Sequence, residues 1–408
     1  MKSGCYTLLI YVAAATALLL AWRAERPGPG ATAGSRATGT ARRPAAITRW
    51  VHYRGDTGQR GVSQARLPQN PKLLWTFATG GAIKSSPVIA GGRAYIGSDD
   101  GMVYALDLRT GKKIWQFKTP HEDPVEAPPT LHGDRLFVGD VGGFMYALDA
   151  SDGKLIWKHE AQDKIVGAAN VIPGKTGSAL VVFGAHDGVL YGLDAATGKQ
   201  AWAFEISDPI NGSPAVSRGR SIFGGCDGAL HVVSTDNGQS VRSVDVGDII
   251  AGSAALDGHV AFTPSFGQEV LAVDIEAGKV LWRYRDRNFE YYSSPAVTSE
   301  VIVFGGRDKR VHCVDRKTGT ARWTFSARGR VDSSPVIAGN RVVVGSHDGR
   351  LYILDLATGE PTWTWEVGGR ISGAPAIVDG WIIIGNEDGS VYGFSDHTPA
   401  PGERGSAA

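Results

Sequence analysis

The sequence predicts an all-β protein, an eight-bladed β-propeller of four-stranded blades. Three observations carry that expectation. A unit of about forty residues recurs from Lys72 to Ser395, and a fixed period over most of a chain marks a repeat architecture. Glycine supplies 55 of the 408 residues, roughly twice its ordinary share and without collagen's spacing, as many tight turns require. Of eleven tryptophans, seven fall at one position of the repeat.

The unit is clearest in VYALDLRTGKKIW, Val103 to Trp115, which returns as MYALDASDGKLIW from Met145 and LYGLDAATGKQAW from Leu190. Copies follow from Leu230, Val270, Val311 and Leu351, and a last one begins at Val391 and decays. The turn glycines Gly111, Gly153, Gly198, Gly238, Gly278, Gly319 and Gly359 stand 40 to 45 residues apart. Each unit reads as four short strands. In the first, Ser85 to Gly91 and Arg93 to Ser98 are apolar, β-rich and bounded by glycine. Asp100-Gly101 makes a hairpin, Gly supplying positive φ. MVYALD is the third strand, and Leu108 to Gly111 turn the chain into the fourth, KKIWQFKT. No stretch has helical period, and four strands per repeat is the pattern of a propeller.

The count closes as a ring. The last unit ends near Ser395 without a tryptophan strand, while LLWTFAT, Leu73 to Thr79, is a tryptophan strand with no unit before it. Joining the two buries both open edges. Seven complete units and one shared blade give eight.

Within the unit, Asp107, Asp149, Asp194, Asp274, Asp315 and Asp355 stand four residues before the turn glycine, where a carboxylate pins the hairpin by accepting backbone N–H bonds. Trp75, Trp115, Trp157, Trp202, Trp282, Trp323 and Trp363 fit slots between adjacent blades. Each buries on the order of 200 Å², worth up to about 5 kcal/mol at about 25 cal/mol per Å². Equivalent tryptophans in seven blades are packing, not chemistry. The fourth repeat carries Arg242 instead, and its junction is expected to be the weakest.

The ends read differently. Residues 1–22 hold an apolar run from Thr7 to Trp22 and serve as a signal peptide or membrane anchor. Cys5 precedes that run, which speaks against a lipoprotein. Residues 23–49, rich in Pro, Gly, Ala, Thr and Arg, form a flexible basic linker. Residues 50–71 lead into the propeller at 72–396, and residues 397–408 are a disordered Pro-rich tail. The net charge of +1 gives no reason to expect nucleic acid. Cys226 and Cys313 fall two blades apart, too far to bridge. A monomeric propeller outside the cytoplasm, periplasmic or extracellular, is the expectation.

The stretch Ala-x-Asp-x-x-Thr-Gly-Lys-x-x-Trp, here Ala105, Asp107, Thr110, Gly111, Lys112 and Trp115, resembles the tryptophan-docking motif of the quinoprotein-type propellers. That family includes pyrroloquinoline-quinone alcohol dehydrogenases, a propeller lipoprotein that assists outer-membrane assembly, and many non-catalytic propellers. The resemblance is specific for fold and weak for function. In the enzymes it implies a quinone on a tryptophan platform, typically under a disulfide of adjacent cysteines, with Ca²⁺ held by Glu, Asn and Asp. This chain has no adjacent cysteine pair and no CxxCH haem site.

A ligand of a propeller sits in the axial funnel, where the fourth-to-first-strand loops and second-to-third-strand hairpins share one face. Equivalent positions there are Lys84, Glu126, Gly167, Asn211, Ala251, Tyr292, Asp332 and Ser372. Lys84, Glu126, Asn211, Tyr292 and Asp332 are the candidates for a ligand or partner. The hairpins add Asp100, His186, Asp187, Asp227, Arg307, Asp308, His347 and Asp348, with the aspartates read as turn chemistry and the two histidines as exposed. No metal site and no catalytic residue is expected. The function expected is a non-catalytic scaffold with a protein partner at the envelope. The alternative is an oxidoreductase using pyrroloquinoline quinone and Ca²⁺.

Overall fold

The computed structural model describes residues 49–174 and 177–396. The apolar run, the linker up to residue 48 and the tail from 397 lie outside the described residues. Those described form strands and turns, with no helix among them. The strands make eight four-stranded antiparallel blades around one axis, one of them with a fifth strand added.

Blade 1 shows why the sequence folds this way. Its strands are Val88–Ala90, Arg93–Gly97, Met102–Asp107 and Lys113–Lys118, from axis to rim. The second and third strands are covered on both faces by neighbouring blades, so they read as continuous apolar runs and are almost wholly buried. The rim strand KIWQFK meets solvent on one face and buries mainly its tryptophan. Asp107 accepts the N–H groups of Arg109 and Thr110 at 3.1 and 2.9 Å, and the Thr110 hydroxyl at 2.8 Å. Blades 2, 3, 5, 6 and 7 repeat the device with Asp149, Asp194, Asp274, Asp315 and Asp355.

The ring closes as the count required. Lys72–Ala78 pairs antiparallel with Ser390–Ser395, from Lys72 opposite Ser395 to Ala78 opposite Ser390, as the rim strand of blade 8.

Each rim tryptophan then locks its blade to the next. Trp115 donates its indole N–H to the Ala150 carbonyl at 3.1 Å and lies flat on Gly153. Trp75, Trp157, Trp202, Trp282 and Trp323 do the same on their neighbours. The turn glycine is needed twice over. Gly153 has φ +76°, and a Cβ there would stand 2.6 Å from the Trp115 ring. Trp363 departs from its equivalents, because among the described residues blade 8 offers no turn glycine to receive it. It stacks on Trp365 at 6.1 Å and meets the edge of Phe394 at 5.6 Å.

The lead-in proves to be part of the propeller. It runs as a belt beneath the channel, bonding the inner strand of each blade in turn. Trp50 exchanges two bonds with Ile89 in blade 1, and the Val51 carbonyl takes the Leu131 N–H in blade 2. Thr57 serves Asn170 and Val216 in blades 3 and 4, Gly58 serves Leu256 in blade 5, and Arg60 serves Val297 in blade 6. Val62–Ser63 adds a parallel strand to blade 7, and Ser63 and Arg66 reach blade 8. Arg54 and Gln59 have φ of 60° and 56°. Positive φ is uncommon for such residues and marks the belt's tight corners.

Candidate functional site

The funnel gathers its residues by repeat register. Each inner strand is entered through a buried apolar residue, from Ile83 and Val125 to Ile371, and the next residue faces the axis. All eight expected positions line one cavity of about 180 Å³. The register places Val166, not Gly167, at the blade 3 equivalent, since Ile165 bonds the Asp140 carbonyl as Val125 bonds that of Ser98. Both residues line the cavity.

Below them runs a ring of serines. In four blades in succession a backbone N–H is donated to the serine hydroxyl of the next: Ala168 to Ser213, Ser213 to Ser253, Ser253 to Ser294 and Ser294 to Ser334, at 2.8 to 3.1 Å. Ala374 to Ser86 joins blade 8 to blade 1 at 2.8 Å. Tyr53 rises from the belt to place its hydroxyl 3.3 Å from Ser334. Beside it Arg54 is buried, its Nε donating to the Gln59 carbonyl at 3.1 Å. The Ser-Pro recurring in Ser86-Pro87, Ser213-Pro214, Ser294-Pro295 and Ser334-Pro335 is the sequence signal that could have found the ring. Nothing in the repeat announces Tyr53.

The charged candidates come together in two groups. Lys84 lies between Asp99, at 2.8 Å, and Glu126, at 2.6 Å. Burial opposes the ammonium charge, but the two carboxylate bonds outweigh it and raise its pKa above the usual lysine range. Across the funnel, the Arg307 guanidinium lies 3.4 Å over the Tyr292 ring and grips Asp332 with two bonds, at 3.3 and 3.4 Å. Burial raises the Tyr292 pKa, with Arg307 acting against it. His347 is half-buried, not exposed: its Nε2 is 3.0 Å from the Ser372 hydroxyl and 3.7 Å from Asp332. Ser372 in turn bonds Glu387. Asn211 joins neither group and donates to the Cys226 sulfur at 3.0 Å. His186 is likewise half-buried, and burial lowers its pKa. Cys226 and Cys313 are both free thiols.

A larger recess of about 550 Å³ lies on the opposite, belt side, lined by Arg49, Asp56, Arg60 and Asp257 among others. It was not foreseen, because the lead-in gave no sign of crossing the channel. Arg60 is paired there with Asp56 at 2.8 Å.

A family model described as outer membrane protein assembly factor BamB matches residues 60–164, 99–325 and 307–399. The crystal structure of BamB from Moraxella catarrhalis superposes with a TM-score of 0.67 at 19% identity, covering 80% of this chain and 99% of that one. Quinohemoprotein alcohol dehydrogenase from Comamonas testosteroni gives 0.72 at 16% identity, over 87% of this chain and 82% of that one. A europium-containing methanol dehydrogenase gives 0.70 at 15% identity, over 85% and 98%. At such identities the likeness shows the fold alone. No curated protein matches the sequence.

Proposed function

The chain belongs to the propeller family described as outer membrane protein assembly factor BamB, and from that membership we propose that it is a non-catalytic scaffold binding a protein partner at the cell envelope. In this reading the propeller is monomeric and lies outside the cytoplasm, led there by the apolar segment of residues 1–22. The observation that carries the proposal is the self-pairing of the funnel. Ligand pockets run to roughly 300–1,000 Å³ and leave a few polar groups to fix the ligand. Here the cavity is about 180 Å³, Lys84 is taken up by Asp99 and Glu126, and Arg307 covers Tyr292 and neutralises Asp332. Such a charge-balanced face suits recognition of a surface better than enclosure of a small molecule. Phe289, 44% exposed in the loop from blade 5 to blade 6, adds an apolar anchor at its edge.

The quinone chemistry of the dehydrogenases does not fit these residues. No tryptophan lines the cavity among the described residues. Glu126, Asn211 and Asp332 enter from blades 2, 4 and 7, and each already has a partner. Incubation with pyrroloquinoline quinone and Ca²⁺, followed by alcohols or sugars and a dye acceptor, is expected to give no dye reduction. Stoichiometric quinone binding with turnover, lost in Asp332→Ala, would overturn the reading. A photo-crosslinker at Phe289 in intact cells is expected to trap an envelope protein, and alkaline phosphatase fused after Gly61 is expected to be active. Inactive fusions would sink the location.

A further inference from the structure

The hairpins between second and third strands share a device that the period does not advertise. The hairpin aspartate accepts the N–H two residues on through one oxygen, as Asp100 does from Met102 and Asp348 from Arg350. Its other oxygen accepts the hydroxyl of a tyrosine on the third strand. Tyr104 donates to Asp100 at 2.6 Å, Tyr191 to Asp187 at 2.6 Å and Tyr352 to Asp348 at 2.7 Å. Tyr146 and Asp140 make the same pair in blade 2 at 2.7 Å. In blades 1, 3 and 7 that oxygen also accepts an N–H from the loop arriving from the preceding blade, of Gly80, Gln162 and Arg328. Both oxygens are thus satisfied.

Blade 6 departs from this in three ways. His312 stands in the tyrosine position. Asp308 turns a single oxygen, Oδ1, to both the Arg310 N–H and His312 Nε2, each at 3.2 Å. Its Oδ2 is left without a partner, although the Asp308 side chain is wholly buried. The arriving loop, one residue longer than that of blade 1 (Trp282 to Ser293 against Trp75 to Ser85), delivers a carboxylate, Asp286, in place of an N–H. One ligand atom from each of Asp286, Asp308 and His312 lies within 4.8 Å of the other two. The histidine alone does not create this state. In blade 4, His231 also replaces the tyrosine, but there Asp227 uses both oxygens, one for Ala229 and one for His231 at 2.8 Å.

A buried carboxylate oxygen without a hydrogen bond is costly and calls for a missing partner. A second carboxylate beside it makes that partner a cation. We propose that Asp286, Asp308 and His312 bind a divalent transition-metal ion of the Zn²⁺ or Mn²⁺ class, which ties the loop leaving blade 5 to the hairpin of blade 6. One imidazole nitrogen with two carboxylates suits that class, whereas Ca²⁺ seeks six to eight oxygens. The His312 ring is set for the role. Its Nδ1 lies 3.1 Å from the Tyr284 hydroxyl, so a metal on Nε2 puts the proton on Nδ1, donated to Tyr284. Without metal the proton sits on Nε2 and faces Asp308. Asp286 is the solvent-facing ligand, and Arg310 at 3.1 Å holds its Oδ2.

The test is titration of the chelator-treated full-length chain with ZnCl₂, MnCl₂ and CaCl₂, followed by calorimetry and thermal denaturation. One equivalent of Zn²⁺ or Mn²⁺ is expected to bind and raise Tm, with Ca²⁺ far weaker. His312→Tyr installs the residue of five sister blades, so it should fold and lose the metal response. Asp286→Asn should weaken binding by about tenfold or more. Histidine ¹⁵N spectra should show the His312 proton move from Nε2 to Nδ1 on adding Zn²⁺. The proposal fails if the wild-type chain shows no response, which would mean that Asp308 Oδ2 meets only water. It fails equally if binding survives His312→Tyr, which would place the ion on surface histidines.

Discussion

Arg242→Trp is expected to stabilise the propeller at its one tryptophan-less slot. At six junctions a rim tryptophan lies on the turn glycine of the next blade, so close that a Cβ there would stand 2.5 to 2.8 Å from the ring. Arg242 occupies the same place over Gly278, whose φ is +69°, with its Nη1 and Cδ 2.5 and 2.8 Å from that Cβ position. The slot is therefore shaped for an indole, and the Ile275 carbonyl stands where Ala150 receives Trp115. Arg242 is exposed and only partly covers the slot. If half of the roughly 200 Å² of a docked tryptophan is new burial, the gain is about 2.5 kcal/mol at about 25 cal/mol per Å². The indole hydrogen bond adds about 1 kcal/mol, and ordering the side chain removes about 1 kcal/mol. A net gain of about 2.5 kcal/mol follows. Urea denaturation should show it as a higher midpoint at unchanged slope. A midpoint equal to or below that of the parent chain would refute the slot argument. So would Arg242→Ala costing as much as Trp202→Ala.

Four more perturbations test other levels of the structure. Deleting Lys72 to Thr79 removes the rim strand of blade 8 and opens the ring, and a normal melting temperature in that variant would sink the closure argument. Gly153→Ala combines a φ of +76° with a Cβ 2.6 Å from the Trp115 ring, and should cost about 2–4 kcal/mol in urea denaturation. Gly91→Ala, at φ +58° with nothing within 4 Å, should cost only about 1 kcal/mol by the same measurement. Burial holds the His52 imidazole of the belt at a pKa of about 4, against an opposing pull from Asp56. The unfolded chain therefore binds the extra proton between pH about 6.5 and 4, so this stability is full above that window and falls through it, by at most about 3 kcal/mol. His52→Gln should flatten that part of the stability–pH curve, and an unchanged slope would remove His52 as the cause.

The sequence by itself determined the blade count, the turns, the closure and the positions that ring the funnel. These depend on spacing along the chain, and a forty-residue period writes spacing eight times over. Even the slip from Val166 to Gly167 came where the period is longest and the Ser-Pro landmark is missing. The partners of those positions were a different matter. That Arg307 would close over Tyr292 and Asp332, that the lead-in would bond all eight blades, and that Trp363 would find no turn glycine among the described residues depend on contacts between segments that differ from blade to blade. Asp286 shows the limit most clearly. Its loop recurs in every blade, but no other blade carries a carboxylate at that place, and only the packing of blade 5 against blade 6 brings it to the buried carboxylate of Asp308. A repeat fixes what its copies have in common, whereas a site is made where one copy differs, and that difference acquires meaning only through its neighbours in space.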